Sequence, residues 1–328
     1  MSGQVRLVAR RVAVAAVAVT LAFEARGWAH RCARGWIAPG LVNVRSPLAA
    51  RVLGAGSPIV LVHGLGASNC YWGGAYDRLA DRHLLIVPDM LGFGESPRPP
   101  HGYGPGDHAA ALAQSIESTG AQGRALVAAH SVGCLIALRL AATRPELVAG
   151  IVAFGPPIYP DRASARRHID ALGPMARLFA NDTPSARVVC EWVCNHRELA
   201  AWFAAALRPD LPPQIARDGV QHTWVSYSET LRRLLLAAEA SAWLDEIDVP
   251  VLFVAGTGDP VCDLAWLDHL AARHPGVTVE RWQGDHDLPL SYDSEVIRRI
   301  AELADVSSSA EGPRQDEPRH LSTRSRDR

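Results

Sequence analysis

Ser131 is the residue on which a chemical reading of this chain turns. It sits in Ala129-His130-Ser131-Val132-Gly133, between the apolar run Ala125-Leu126-Val127-Ala128 and the Ala/Leu-rich stretch from Val132 to Arg144. A serine hydroxyl is inert at neutral pH unless a base removes its proton. A tight strand-turn-helix lifts such a hydroxyl above a sheet and needs small residues two positions to either side, the pattern Gly-x-Ser-x-Gly. Ala129 stands at the first small position and adds one methyl to the turn without forbidding it. An orienting acid and a base are expected further along, in the order Ser, Asp, His. Asp259, in Gly256-Thr257-Gly258-Asp259-Pro260, follows the apolar run Val251 to Ala255. His286, in Gly284-Asp285-His286-Asp287, follows the run Val277 to Trp282. The predicted roles are nucleophile for Ser131, base for His286 and orienting acid for Asp259. Asp263 is the rival acid, disfavoured by its place on the helix that follows.

Negative charge developing on a carbonyl oxygen needs backbone N–H donors. Val132, directly after the nucleophile, supplies one. His63-Gly64-Leu65-Gly66 follows the run Ile59 to Val62, and its glycines let the backbone approach a ligand, so Leu65 N–H is the predicted second donor. His63 and His130 read as packing or hydrogen-bonding residues, and Asp285 and Asp287 as acidic residues of a strand-end loop.

The elements that must position these groups are legible as short runs apolar on both faces. Ile59 to Val62, Leu84 to Val87, Ala125 to Ala128, Gly150 to Phe154, Val251 to Ala255 and Val277 to Trp282 read as strands buried between two layers, hence a mostly parallel sheet. Helical stretches alternate with them, which gives an α/β class, doubly wound, with helices on both faces. From Tyr159 to Trp243 the pattern is helical only, broken by Pro174, Pro184 and the Pro209 to Pro213 cluster. Such an insertion reads as a cap over the carboxyl edge of the sheet, where open α/β sheets bind ligands. The expected division is an N-terminal segment over 1–41, a core over 42–158 and 244–305, a cap over 159–243, and a disordered tail over 306–328. On the cap, His222, Trp224 and Tyr227 share one predicted helical stretch and are candidates for lining a substrate site.

Composition removes other classes. The chain has no lysine, so all 33 basic residues are arginine, and Schiff-base catalysis and a lysine-dependent phosphate loop are excluded. A formal net charge of -1 gives no field to steer nucleic acid. The six cysteines form no Cys-x-x-Cys pair, and Cys190 and Cys194, with His196 nearby, offer too few ligands for a zinc site, so they read as small apolar residues on a helix face and no metal or cofactor is expected. Near the N-terminus, Arg6, Arg10 and Arg11 precede an apolar run from Val12 to Phe23, too short to span a bilayer. It has the outline of a signal peptide with a poor cleavage region; a helix docked on the protein, or in peripheral contact with a membrane through residues 5–25, fits equally. A cytoplasmic location is expected, with membrane association or export as alternatives.

Together, His63-Gly64-Leu65-Gly66, Asp89-Met90-Leu91-Gly92-Phe93-Gly94-Glu95-Ser96, the Ser131 turn, Asp259 and His286-Asp287-Leu288-Pro289-Leu290 resemble the α/β-hydrolase superfamily. The likeness spans about residues 42 to 303. It is nearest to the capped, serine-nucleophile members: esterases, C–C-bond hydrolases and cofactor-free haloperoxidases. Related haloalkane dehalogenases and epoxide hydrolases carry aspartate where this chain has Ser131. The resemblance therefore implies cleavage of a small ester or related acyl substrate through an acyl-enzyme, without cofactor. The tryptophans of the cap suggest an apolar or aromatic substrate. Two rivals stand beside this reading: C–C hydrolysis of a ring-cleavage product, which would need polar or Arg side chains of the cap in the pocket, and ligand binding without turnover.

Overall fold

In the computed structural model the residues described are 36–40, 44–45, 47–172, 174–181, 183–208 and 211–311. The apolar run at 12–23 and most of the expected N-terminal segment lie outside them, as do residues 312–328. Among the described residues no helix is long and apolar enough to cross a membrane.

Each apolar run becomes a strand. The chain order is β1 (Val44–Arg45), β2 (Ala49–Leu53), β3 (Pro58–Val62), β4 (Leu84–Pro88), β5 (Ala125–His130), β6 (Val148–Phe154), β7 (Val251–Gly256) and β8 (Val277–Trp282). They form one sheet in the order β1-β2-β4-β3-β5-β6-β7-β8. β1 and β2 are antiparallel; every pairing from β4 to β8 is parallel. Because side chains alternate along a strand, each central strand feeds two cores. Val60, Val62, Val127, Ala129, Ile151, Ala153 and Phe253 face one layer, with Leu112, Leu135 and Leu138 of α1 (Pro105–Ser118) and α2 (Val132–Thr143). Ile59, Leu61, Leu126, Ala128, Val152, Phe154 and Val254 face the other, against Trp72, Tyr76 and Leu79. Strand runs apolar on both faces follow from this two-sided burial.

Between β6 and β7 the chain makes α3 (Arg162–Ala171), α4 (Pro174–Ala180), α5 (Pro184–Asn195), α6 (Arg197–Leu207), α7 (Pro213–Asp218), α8 (Trp224–Thr230), a π-helical turn at Leu231–Leu235, and α9 (Ala240–Trp243), with no strand among the described residues. Thr183 caps α5 through Ala186 N–H, and Pro184 occupies the first helical turn, where a missing N–H costs nothing. After β7 come α10 (Leu264–Arg273), then β8, α11 (Leu288–Ser291) and α12 (Asp293–Glu311). α12 runs past residue 306, where the sequence suggested a disordered tail. Val296, Ile300 and Ala304 seat it on the second core, and Ser307 Oγ donates to Leu303 C=O, so the helix continues beyond the last apolar contact.

Two strands lack an apolar signature. On β2, Arg51 is only 1% exposed, its guanidinium bonded to Asp77 and donating to the carbonyls of Asn69 and Trp72. On the edge strand β8 burial is partial and irregular, as a strand covered on one side requires.

Candidate active site

β5 ends at His130, and α2 begins at Val132. Ser131, between them, has φ 54° and ψ -126°, a conformation near the first central position of a type II′ turn. A non-glycine residue held there costs roughly 1–3 kcal/mol, and surrounding packing must impose it. Gly133 makes the turn possible: a Cβ on it would sit 2.5 Å from His63 O and 2.8 Å from Val62 O, both backbone atoms. Ala129 meets no such obstacle. Its methyl is fully buried in the first core, beside Val62 and Ala153 on the flanking strands, which is why alanine serves where the motif has glycine.

Three strand ends converge on the Ser131 hydroxyl. His286, after β8, has Nε2 2.9 Å from Ser131 Oγ, and its Nδ1 is 2.8 Å from Asp259 Oδ2, after β7. Asp259 Oδ1 accepts from Val261 N–H at 2.7 Å, and Oδ2 also accepts from the Cys262 thiol at 3.1 Å. A carboxylate so placed fixes the proton on His286 Nδ1 and leaves Nε2 an acceptor for the serine hydroxyl. Burial disfavours the Asp259 charge, but the His286 hydrogen bond and charge, with the Val261 and Cys262 donors, outweigh it and hold the carboxyl below its usual range. Burial likewise opposes protonation of His286; Asp259, Asp287 and Asp285 outweigh it and raise its pKa. Asp263 does not reach the imidazole: it caps α10, accepting from Trp266 N–H at 3.1 Å. Gly155, after β6, has φ 60°, and a Cβ on it would lie 2.9 Å from His286 Nδ1 and 3.3 Å from Asp259 Oδ2. The imidazole–carboxylate pair thus rests on bare backbone.

The loop carrying Leu65 is fixed from behind. Met90 N–H donates to His63 Nε2 at 2.9 Å, so the His63 proton is on Nδ1, which donates to Gly64 C=O at 2.8 Å. Burial keeps His63 neutral by lowering its pKa. Gly64 passes so close to Ser131 that a Cβ there would be 3.0 Å from Ser131 Cβ. The Asp89-to-Ser96 segment is a second support. Asp89 Oδ1 accepts from Asn69 N–H and Nδ2, its Oδ2 accepts from Glu95 N–H, and Ser96 Oγ joins Asp89 C=O to Ala49 N–H.

His130 is structural. Its Nε2–H donates to His286 C=O at 2.9 Å, and its ring stacks on Tyr71 at 4.5 Å and 11°. Burial, reinforced by the neighbouring His286, pushes its pKa down to about 3. Tyr71 Oη in turn donates to Asp287 Oδ1 at 3.2 Å, which ties the residue after His286 to the 3₁₀ turn Asn69–Trp72.

A cavity of about 350 Å³ opens over Ser131. His286, Gly64, Leu65 and Gly66 line it from the core, Tyr71, His130 and Asp287 from the side, and Ala204, Arg208, Leu211, Ile215, Ala216, Val220 and Tyr227 from the helical insertion. Of the three insertion residues predicted to line it, only Tyr227 does. α8 begins at Trp224 with Thr223 as its cap, so His222 precedes the helix rather than sharing its stripe. Trp224 packs instead against Ala186 and Cys190 of α5. Arg208, Leu211 and Ile215 went unassigned in the sequence because their proline-rich surroundings carry no period from which a facing side can be read. His222 has different company: its Nδ1 is 3.9 Å from Cys190 Sγ, whereas His196 turns back to bond Trp192 C=O and stack on that indole.

Residues 59–299 match the model of the Alpha/beta hydrolase family, and the chain belongs to that family. It is 32% identical over 279 residues, 80% of each chain, to "Uncharacterized protein Rv2715" of Mycobacterium tuberculosis. It is 25% identical over 252 residues to "Probable lysophospholipase BODYGUARD 4" of Arabidopsis thaliana, covering 71% of this chain and 60% of that relative's length. Among solved structures, E-2-(acetamidomethylene)succinate hydrolase superposes with a TM-score of 0.65 at 21% identity, over 81% of this chain and all of the other.

Proposed function

We propose that this protein is a serine hydrolase that cleaves a small carboxylic ester or related acyl compound through an acyl-enzyme. The observation that carries this reading is the continuous chain Ser131 Oγ–His286 Nε2 (2.9 Å) and His286 Nδ1–Asp259 Oδ2 (2.8 Å) beneath a cavity of about 350 Å³. In the first half-reaction Ser131 Oγ attacks the acyl carbonyl while His286 Nε2 takes its proton. The tetrahedral oxyanion accepts from the N–H groups of Val132 and Leu65; Val132 is the first residue of α2, where an N–H has no partner one turn earlier in the helix, and the helix dipole favours an anion. His286 returns the proton to the leaving group, then activates water to release the acid. Asp259 keeps the imidazole in the working tautomer and stabilises its cation. Leu65, Leu211, Ile215, Ala216, Val220 and Tyr227 give the cavity an apolar lining that suits an apolar or aromatic acyl group.

Arg208 favours a second reading. It lines the cavity from the insertion, and an arginine of the cap in the pocket is what C–C hydrolysis of an acidic ring-cleavage product requires. A substrate carboxylate paired with it would give a large rise in KM on Arg208→Met for acidic substrates and little change for neutral esters.

A fluorophosphonate probe tests the serine. Wild type should label, and Ser131→Ala and His286→Ala should not, with each variant shown folded by circular dichroism. Unlabelled, folded wild type would refute an activated serine and leave a protein that binds ligand without cleaving it.

A further inference from the structure

Three side chains that the hydrolytic reading leaves unused meet beside Tyr227. Cys190 and Cys194 lie one turn apart on α5, and His222 lies in the loop ahead of α8. Cys190 Sγ is 3.9 Å from Cys194 Sγ and 3.9 Å from His222 Nδ1, and the three potential ligand atoms all lie within 4.8 Å of one another. Two thiolates bound at about 2.3 Å to a tetrahedral zinc stand about 3.8 Å apart, and a thiolate and an imidazole nitrogen about 3.6 Å. Ordinary packing would explain one such spacing. Two thiols and an imidazole, from segments about thirty residues apart, gathered within 4.8 Å of one another meet the demand of a metal.

The surroundings fit. Cys190 and His222 are buried, while Cys194 is half-buried at the edge of a surface depression lined also by Arg187, Glu191, Asn195, Thr223 and Trp224. An ion can therefore enter from the Cys194 side, where the depression makes water available as a further ligand. The Arg197 guanidinium donates to His222 C=O at 3.2 Å and holds that loop in place. Among the described residues no carboxylate joins the cluster, so the donor set suits a thiophilic cation and not magnesium or calcium.

We propose that Cys190, Cys194 and His222 form a binding site for a thiophilic d¹⁰ cation, zinc, with water as fourth ligand. Binding releases the two thiol protons to solvent. Cys194 gives up its 3.2 Å contact to His222 C=O, and neutral His222 coordinates through Nδ1, leaving its contact with Thr223 C=O. Nothing is oxidised or reduced. The ion would pin α5 to the entrance of α8. The His222 ring, 5.0 Å from that of Tyr227, passes the constraint to the cavity wall. The site stands independently of the hydrolytic reading.

Cobalt tests it. Reduced full-length protein, stripped with chelator, is titrated with Co²⁺ and read by absorption. One Co²⁺ per chain is expected, with a near-ultraviolet thiolate-to-cobalt band and strong visible bands of tetrahedral geometry, all abolished by one equivalent of zinc. Cys190→Ser and Cys194→Ser should lose the thiolate band or halve it. His222→Gln should weaken binding at least tenfold, and His196→Gln should change nothing. Zinc should raise the Tm of wild type and not of the double cysteine variant, whose folding circular dichroism verifies. A weak octahedral spectrum without the thiolate band, a band that survives in the double variant, or dependence on His196 in place of His222 would each overturn the assignment.

Discussion

Replacing Asp259 by Asn is the sharpest perturbation of the proposed site, because the structure dictates how the amide must sit. Asp259 Oδ1 accepts from Val261 N–H at 2.7 Å and Oδ2 accepts from His286 Nδ1–H at 2.8 Å. Placing the amide NH₂ against Val261 N–H would oppose two buried donors, an arrangement that costs roughly 1–3 kcal/mol. The amide oxygen therefore keeps the Val261 position, and NH₂ faces His286 Nδ1. The imidazole must then carry its proton on Nε2, where it donates to Ser131 Oγ and is unable to accept from it. Loss of the general base by tautomer inversion is worth about 10⁴-fold in kcat, or about 5.5 kcal/mol of transition-state stabilisation. The assay is hydrolysis of p-nitrophenyl esters of graded chain length under saturating conditions, with thermal melts to show that the variant is folded. Asp263→Asn is the matched control: asparagine still caps α10 through Trp266 N–H, so activity should stay within about twofold of wild type. Activity of Asp259→Asn within tenfold of wild type, or a loss in Asp263→Asn as large as that expected of Asp259→Asn, would refute the assignment of the acid.

Other consequences can be measured separately. The form of His286 that accepts the serine proton is the neutral one, and its pKa is raised, so kcat/KM should climb with pH through a midpoint above 6.5; a midpoint well below that value would contradict the balance of charges around the imidazole. For stability the sign is opposite. A raised histidine pKa stabilises the fold fully below the unfolded value and the gain is lost as pH rises through the folded one, whereas the depressed Asp259 contributes above the unfolded carboxylate pKa and is lost as pH falls through its own. Gly133→Ala forces a Cβ against two backbone oxygens and should destabilise by about 1–3 kcal/mol in urea titration, with loss of probe labelling. Ala129→Gly, which installs the motif's usual residue, should lower stability by about 1 kcal/mol through lost burial and added chain freedom while leaving kcat within about twofold. Tyr227→Ala should alter KM across an ester series by at least threefold, and Trp224→Ala should lower Tm with no such selectivity change, since only the first lines the cavity.

The strands from β3 to β7 were legible because burial between two helical layers demands unbroken apolar runs, a constraint written locally; the edge strand β8, only partly buried, was legible from its β-branched residues and its place in the alternation. β2 was not, since Arg51 occupies its interior and only the distant Asp77 and the Asn69 and Trp72 carbonyls satisfy that charge. The order of Ser131, Asp259 and His286 and their places at strand ends could be read along the chain, as could a parallel sheet that brings such ends to one edge. Whether Asp259 or Asp263 faces the imidazole depends on where α10 begins, and that is settled by the cap Asp263 makes to Trp266. The predicted stripe of His222, Trp224 and Tyr227 split three ways because helix α8 starts later than periodicity implied, and because α5 competes for the indole. The pairing of Cys190 and Cys194 with His222 in place of His196 has no local signal at all: Trp192 captures the nearer histidine, and only the packing of α5 on the entrance to α8 delivers the farther one. Local sequence carries the parallel strands, the turn around Ser131 and the chain order of Ser131, Asp259 and His286, since each is imposed by backbone sterics and apolar period over a few residues. Tertiary structure alone decided which insertion side chains face the cavity and which soft donors meet, because those depend on rigid-body packing between helices, and chain-local preferences do not encode it.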